Sequence, residues 1–203
     1  MVVAAATVPV LGALSVLVLL IVLMTTVCRL GIAMVCARRL ARGGGRPVTV
    51  RRIRVQHRMR SRGVLELHAE GAVTLVPVYF HTGLLAIAPD TAARIVRVGR
   101  WVACEVGDGI VALPAGRERH RPMPGTVSDA PRLNPTDLRA RAARFGSIRR
   151  RLVLDAPAAV GAPIVGLLWV FVAGGGVIDV VAVTVVAATV AVWISALGGS
   201  DPS

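Results

Sequence analysis

Three long apolar runs constrain this chain more than any other feature of its sequence. The first 28 residues hold no charged side chain, and two further runs, at residues 152–173 and 177–197, each hold a single carboxylate. A helix needs about 20 mostly apolar residues to cross the hydrocarbon core of a bilayer. A mean hydropathy of +0.69 is also too high for an ordinary soluble domain. We therefore expect an integral membrane protein with three transmembrane helices.

The first run has an alternative interpretation as a cleavable signal peptide. Such a peptide begins with a basic region and has an apolar stretch of only about 7 to 15 residues. This run starts without a charge, and its apolar stretch is longer. We therefore expect an uncleaved N-terminal anchor.

The second and third runs are separated only by glycines 174–176, which predicts a transmembrane helical hairpin. Pro163 lies inside the second run, where it removes a backbone hydrogen bond and predicts a kink. Small residues recur four apart in both runs, a spacing that lets helices approach closely. We expect them to pack within the hairpin, with an oligomer interface as the alternative. The residues are Ala158, Ala162, Gly166, Ala187 and Ala191.

The positions of the arginines predict the orientation of the spans. Cytoplasmic segments carry an excess of basic residues close to the membrane. Arginines follow the first run and precede the second, whereas the N-terminus, the glycine turn and residues 198–203 have none. We expect a multi-pass protein of the cell membrane, with the N-terminus outside and the central region and C-terminus in the cytoplasm.

The central region carries most of the charge of the chain. Residues 38–151 hold 23 arginines and eight carboxylates, a net charge of +15. All 24 basic residues of the chain are arginine, a bias typical of GC-rich coding DNA, so we expect a bacterial origin. The bias also means that an arginine here need not have been selected for a contact that lysine cannot make.

Alternating apolar and polar residues predict about five or six short strands between residues 48 and 114. In the first strand the apolar positions change parity between Val50 and Ile53, which predicts a register break at residues 51–52. Pro77 predicts an edge strand or a bulge, because proline cannot donate to a sheet ladder. A small curved sheet or partly open barrel would bury these strands.

The segment from residue 136 to residue 151 has the pattern of a basic amphipathic helix. Leu138, Ala142, Phe145 and Ile148 fall on one stripe, and arginines occupy much of the remaining surface. Two placements remain open: the stripe lies in the headgroup plane of the membrane, or it packs against the β domain.

These patterns predict a membrane protein of the α+β class, with one N-terminal transmembrane helix, a small cytoplasmic mainly-β domain and a C-terminal transmembrane hairpin. Six segments follow in order: the first helix with its basic extension (1–37), an Arg/Gly hinge (38–47), the β domain with a Pro-rich tail (48–131), the juxtamembrane helix (132–151), the hairpin (152–197) and the tail (198–203).

The sequence contains no pattern that we can assign to catalysis or to a cofactor. None of the serines lies in a GxSxG motif. The four histidines lack the spacing typical of metal ligands. The glycine-rich residues 42–47 follow no predicted strand and lack the lysine of a phosphate loop, which favours a flexible hinge. We therefore expect a protein that is not an enzyme and has no cofactor or metal.

The leading hypothesis is a membrane protein whose basic cytoplasmic β domain binds a partner protein or the anionic membrane surface, in an accessory or scaffold role. An accessory subunit of a membrane enzyme or transporter complex is one alternative. Membrane-tethered nucleic-acid binding is another, disfavoured by the scarcity of aromatic residues for stacking. The residues expected to make the anionic or partner contact are Arg52, Arg54, Arg58, Arg60, Arg149, Arg150 and Arg151.

Overall fold

The computed structural model describes residues 3–57, 60–69, 71–107, 109–129, 137 and 147–202. It shows an α+β protein with a mainly antiparallel sheet. The helices are α1 (Val3–Ala41), α2 (Ile148–Asp155), α3 (Ala162–Ala173) and α4 (Val177–Leu197), with 3-10 turns at Thr82–Ala86 and Ala156–Ala159. The strands are β1 (Arg46–His57), β2 (Arg60–Ala69), β3 (Ala72–Pro77), β4 (Thr91–Val98), β5 (Trp101–Val106), β6 (Ile110–Ala112) and β7 (Thr126–Asp129).

Helix α1 is much longer than the apolar run that predicts it. Its 39 residues extend over about 58 Å, nearly twice the thickness of a bilayer core. Within Ser15–Ala41 an 18-residue stretch reaches a mean hydropathy of 2.5, so this part of α1 is long and apolar enough to cross a membrane. The last turns of α1 pack against the sheet, where Cys36 and Leu40 bury against Val96 and Ala103. The helix therefore continues through residue 41 and is joined directly to the sheet.

The sheet follows the strand order β3-β2-β1-β4-β5-β6, with β7 beside the second half of β1. Its edges are brought together, because the chain after β6 returns to β3 and bridges Leu75 to Arg119 and Val78 to Pro114. The six strands β1 to β6 agree with the number predicted from alternation. Pro77 ends β3, the first strand in this order, as its missing donor predicts. β7 was not predicted, since its segment has the Pro-rich composition of a linker.

Strand β1 pairs with β2 in a continuous register, so the predicted break at residues 51–52 is wrong. Both faces of the strand are covered. Val48 and Val50 lie in the main core, whereas Ile53 and Val55 lie in a second cluster on the opposite face. Successive side chains of a strand point to opposite faces. In a strand that is buried on both faces, the apolar residues can therefore shift from even to odd positions while the pairing with the neighbouring strand stays continuous.

Helix α4 has 21 residues, of which an 18-residue stretch reaches a mean hydropathy of 2.4, and it is the second described helix that is long and apolar enough to cross a membrane. The preceding run is broken: α2 with its 3-10 turn and α3 meet at a bend of 42°. Pro163 lies in the first turn of α3, where proline is tolerated, rather than inside a helix. The predicted kink is present, but as a break between two helices.

Helices α3 and α4 approach most closely at Gly166. A Cβ at this glycine would lie 2.3 Å from the Thr184 hydroxyl oxygen and 2.7 Å from the Val180 carbonyl oxygen. Ala162, one turn earlier, is also buried. The remaining predicted packing residues are half-buried: Ala158, Ala187 and Ala191.

We expect Gly166→Ala to lower the unfolding temperature in detergent, because the added methyl group must displace Thr184 or separate the helices. Overpacking of this kind costs about 1 to 3 kcal/mol. Gly161→Ala is the matched control, since a Cβ there meets nothing within 4 Å. Equal unfolding temperatures for the two variants would contradict this packing.

Cys104 lies fully buried in the main core. Burial raises the pKa of its thiol to about 12, and the charge of Glu105 acts in the same direction. A thiol in an unfolded chain has a pKa of about 8.5. The buried neutral thiol thus contributes stability below that pH, and the contribution is lost as the pH rises from about 8.5 towards 12.

We expect Cys104 to remain unlabelled by N-ethylmaleimide in the folded protein at pH 8 and to react fully after denaturation. Peptide mass spectrometry measures both states. Labelling of the folded protein at the rate of a free thiol would show that this part of the core opens readily.

Candidate functional site

Arg29, within α1, and the end of α4 meet beside the sheet. The Arg29 guanidinium donates to the carbonyl oxygens of Ala115 and Leu197, the latter at 3.2 Å, and lies 5.1 Å from the Trp101 ring centroid. The Tyr79 hydroxyl donates to the same Leu197 oxygen at 3.0 Å. The last carbonyls of a helix have no partner within that helix. Two side chains from elsewhere in the fold therefore cap the end of α4.

A buried ion pair ties the residues after α4 to the sheet. The Arg52 Nη2 atom lies 2.7 Å from Asp201 Oδ2, and the two side chains are 4% and 1% exposed. The Asp201 amide donates to the Ser61 carbonyl at 2.9 Å. A Cβ at Gly63 would lie 2.9 Å from the Asp201 carboxylate, so this position favours glycine. The segment after α4 therefore bonds directly to strands β1 and β2.

Asp155, the last residue of α2, bonds to the end of α4 and to the segment that follows it. Its Oδ1 atom accepts hydrogen bonds from the hydroxyls of Ser195 at 2.8 Å and Ser200 at 2.5 Å. Ser200 also forms a bridge with Arg62 of β2. From its position in the sequence we expect a hydrated residue, but Asp155 is only 4% exposed. We call this set of contacts the junction, formed by Arg29, Arg52, Asp155, Ser200 and Asp201.

The other carboxylate of the apolar runs has a local role. The Asp179 carboxylate accepts from the backbone amide of Gly176 at 2.8 Å, at the start of α4. A carboxylate in the first turn of a helix is favoured by the helix dipole and by the unpaired amides there. Asp179 therefore caps its own helix.

The junction changes the expected role of Arg52. We expect its side chain on an exposed basic face of β1, and this is wrong: the residues after α4 cover it, and Asp201 neutralises it. Arg54 is half-buried. Arg58 lies outside the described residues, and Arg60 is the first residue of β2. The other three predicted contact residues are exposed in the first turn of α2: Arg149, Arg150 and Arg151.

The predicted amphipathic helix is only partly described. Its stripe residues Leu138, Ala142 and Phe145 lie outside the described residues, whereas Ile148 begins α2 and is exposed. The two placements predicted for the stripe therefore both remain predictions.

Within the described residues, no group of three His, Cys, Asp or Glu side chains lies close enough to hold a metal ion. No family model, curated protein or solved structure matches this chain. The contacts of the junction and the distribution of charge are thus the observations from which a function can be argued.

We expect Asp201→Ala to destabilise the protein strongly, because it leaves the buried Arg52 charge without its partner. Breaking a buried ion pair in this way costs about 3 to 5 kcal/mol. Asp129→Ala is the matched control. Asp129 also forms an arginine–aspartate pair, with Arg51 at 2.6 Å, but the Asp129 side chain is 74% exposed. Exposed pairs contribute little.

Thermal unfolding in detergent measures the difference between the two variants. Replacing both partners, as Arg52→Met with Asp201→Leu, should recover much of the lost stability, because no buried charge then remains. Similar unfolding temperatures for Asp201→Ala and Asp129→Ala would show that the ion pair does not hold the junction together.

Proposed function

We propose that this chain is a three-pass integral membrane protein without enzymatic activity of its own, which holds a basic cytoplasmic β domain at the membrane and contacts anionic lipid there. The junction is the observation that carries the proposal. Arg29 bonds to the end of α4, and Asp155 bonds to Ser195 of α4, so the three apolar segments are joined to one another. Asp201, just after α4, bonds to Arg52 of β1 and to Ser61 of β2, which joins them to the sheet. The sheet is therefore held close to the bilayer rather than tethered by a flexible linker.

The junction also supports the proposed topology. Leu197 lies at the end of α4 and accepts from Arg29, the first charged residue after the N-terminal run. Asp155 and Ser195 pair across α2 and α4. All three spans thus reach the same level on one side, with the arginine-rich sheet beyond it. The positive-inside rule assigns that side to the cytoplasm.

The exposed arginines of α2 lie close to this level. Arg149 and Arg151 precede Asp155 by four to six residues, about 6 to 9 Å along the helix. The headgroup region extends about 5 to 7 Å beyond the hydrocarbon core. A basic residue near an anionic surface contributes on the order of 1 kcal/mol. These two arginines are therefore the best-placed candidates for a lipid contact.

The aromatic residues of the sheet favour lipid over nucleic acid as the partner. Trp101 lies against Arg29, Phe80 against Arg52, and the Tyr79 hydroxyl is bonded to Leu197. All three face the junction. A nucleic-acid surface needs aromatic faces that bases can stack on.

We expect the protein purified from vesicles of equal phosphatidylcholine and phosphatidylglycerol to retain phosphatidylglycerol preferentially. Arg149→Gln with Arg151→Gln should weaken that retention about thirtyfold, since two contacts of about 1 kcal/mol each are lost. Native mass spectrometry measures the lipid bound to each variant.

Arg39→Gln with Arg42→Gln is the matched control, because it removes the same charge from exposed positions at the end of α1. Equal retention of both lipids by the wild-type protein would contradict the proposed contact with anionic lipid. A stoichiometric protein partner that copurifies in mild detergent, combined with equal lipid retention, would favour the accessory-subunit alternative.

A further inference from the structure

Four arginines converge on a groove where α1 ends and β1 begins. The groove has a volume of about 470 Å³. Residues of β4 and glycines of the turn between α1 and β1 contribute to its lining. We call it the arginine groove, lined by Arg39, Arg42, Gly44, Gly45, Arg46, Ile95, Val96 and Arg97.

Close contacts surround two of the glycines in the turn that forms the groove. Gly43 has a φ of +75°, a left-handed conformation that favours glycine at the end of a helix. A Cβ at Gly44 would lie 3.2 Å from the Arg39 carbonyl oxygen, and one at Gly45 would lie 3.2 Å from the Arg94 Cβ atom. The Arg39 Nη1 atom donates to the Arg97 carbonyl at 3.1 Å. The glycines therefore lie in a close-packed turn, and the hinge expected from their sequence stays a prediction.

No carboxylate lines the arginine groove. Arg97 has Glu118 at 3.2 Å, outside the lining. In the part of the chain that the structure describes, no carboxylate lies within ion-pair distance of Arg39 or Arg42. Cations in the last turn of α1 are favoured by the helix dipole. Arg46 of β1 and Arg97 of β4 bring further guanidinium groups to the same groove.

We propose that the arginine groove binds a soluble, phosphate-bearing ligand with at least two phosphoryl groups, such as a diphosphate. Guanidinium groups match phosphate oxygens in two parallel hydrogen bonds. A compact polyanion presents several such oxygens within one small volume, whereas the carboxylates of an acidic peptide are spaced along a chain. Several arginines around one groove therefore favour the diphosphate.

The position of the groove favours a soluble ligand over a lipid headgroup. This step rests on the proposed topology. Arg39 and Arg42 lie ten and thirteen residues beyond Arg29, about 15 to 20 Å along α1. At an average tilt of about 20° this is about 14 to 18 Å above the junction, whereas headgroups extend about 5 to 7 Å. The groove opens beyond their reach.

The test is isothermal titration of pyrophosphate into the full chain in nanodiscs of neutral phosphatidylcholine, at an ionic strength of about 0.15 M, where the Debye length is about 8 Å. We expect saturable binding with one site per chain. Arg39→Gln with Arg42→Gln should weaken it at least tenfold. Arg149→Gln with Arg151→Gln removes the same charge elsewhere and should change it less than twofold.

The absence of saturable binding would overturn the proposal, and so would any of three further results. The first is equal weakening by both pairs of substitutions, which would indicate a general effect of net charge. The second is tighter binding of hexaglutamate than of pyrophosphate, which would assign the groove to an acidic peptide. The third is a tenfold loss of affinity in nanodiscs containing phosphatidylglycerol, which would assign it to lipid headgroups.

The two pairs of substitutions also separate this inference from the proposed function. Lipid retention depends on Arg149 and Arg151, and pyrophosphate binding depends on Arg39 and Arg42. Either proposal can therefore fail while the other holds.

Discussion

The ion pair between Arg52 and Asp201 is the interaction on which the rest of this architecture depends. A charge taken out of water is costly unless a partner and hydrogen bonds compensate it, and both side chains here are almost completely buried. Arg52 on the covered face of β1 has Asp201 as its ion-pair partner, and Asp201 reaches this buried position because the chain after α4 returns to the sheet. The pair thus requires the C-terminal helices and the strand to be assembled together.

The neighbouring contacts have the same character. The carbonyl oxygen of Leu197 accepts hydrogen bonds from Arg29 and Tyr79. The Asp155 carboxylate accepts hydrogen bonds from Ser195 and Ser200, which lie before and after Leu197 in the sequence. Each bond joins elements that are distant in sequence, and the buried side chains of Asp155 and Ser195 bond to each other. Separating these elements would break several of these bonds at once. We infer that the sheet and the apolar helices behave as one unit, as the proposed function requires.

A sequence pattern predicts an element correctly when the interactions behind the pattern are local. The alternation of β2 to β6 and the apolar runs depend on neighbours a few residues away, and the corresponding elements are present. The parity change in β1 has the same local signature as a register break, but the cause is burial of both faces by other parts of the chain. Similarly, glycines 43–45 have the composition of a hinge, and only the tertiary structure shows that Gly44 lies against Arg39 and Gly45 against Arg94.

The sequence by itself determined the class of protein, the number of strands between residues 48 and 114, and the separation of apolar runs from an arginine-rich centre, because hydrophobicity and periodicity act locally. Only the tertiary structure decided which charges are buried and which converge. Arg52 and Asp201 lie 149 residues apart, and nothing near either one in the sequence indicates a partner. The arginine groove likewise draws its side chains from α1, β1 and β4. The arginine-rich stretch of β1 was thus identifiable as charged, but whether each arginine faces solvent, a carboxylate or another arginine depends on which elements pack together.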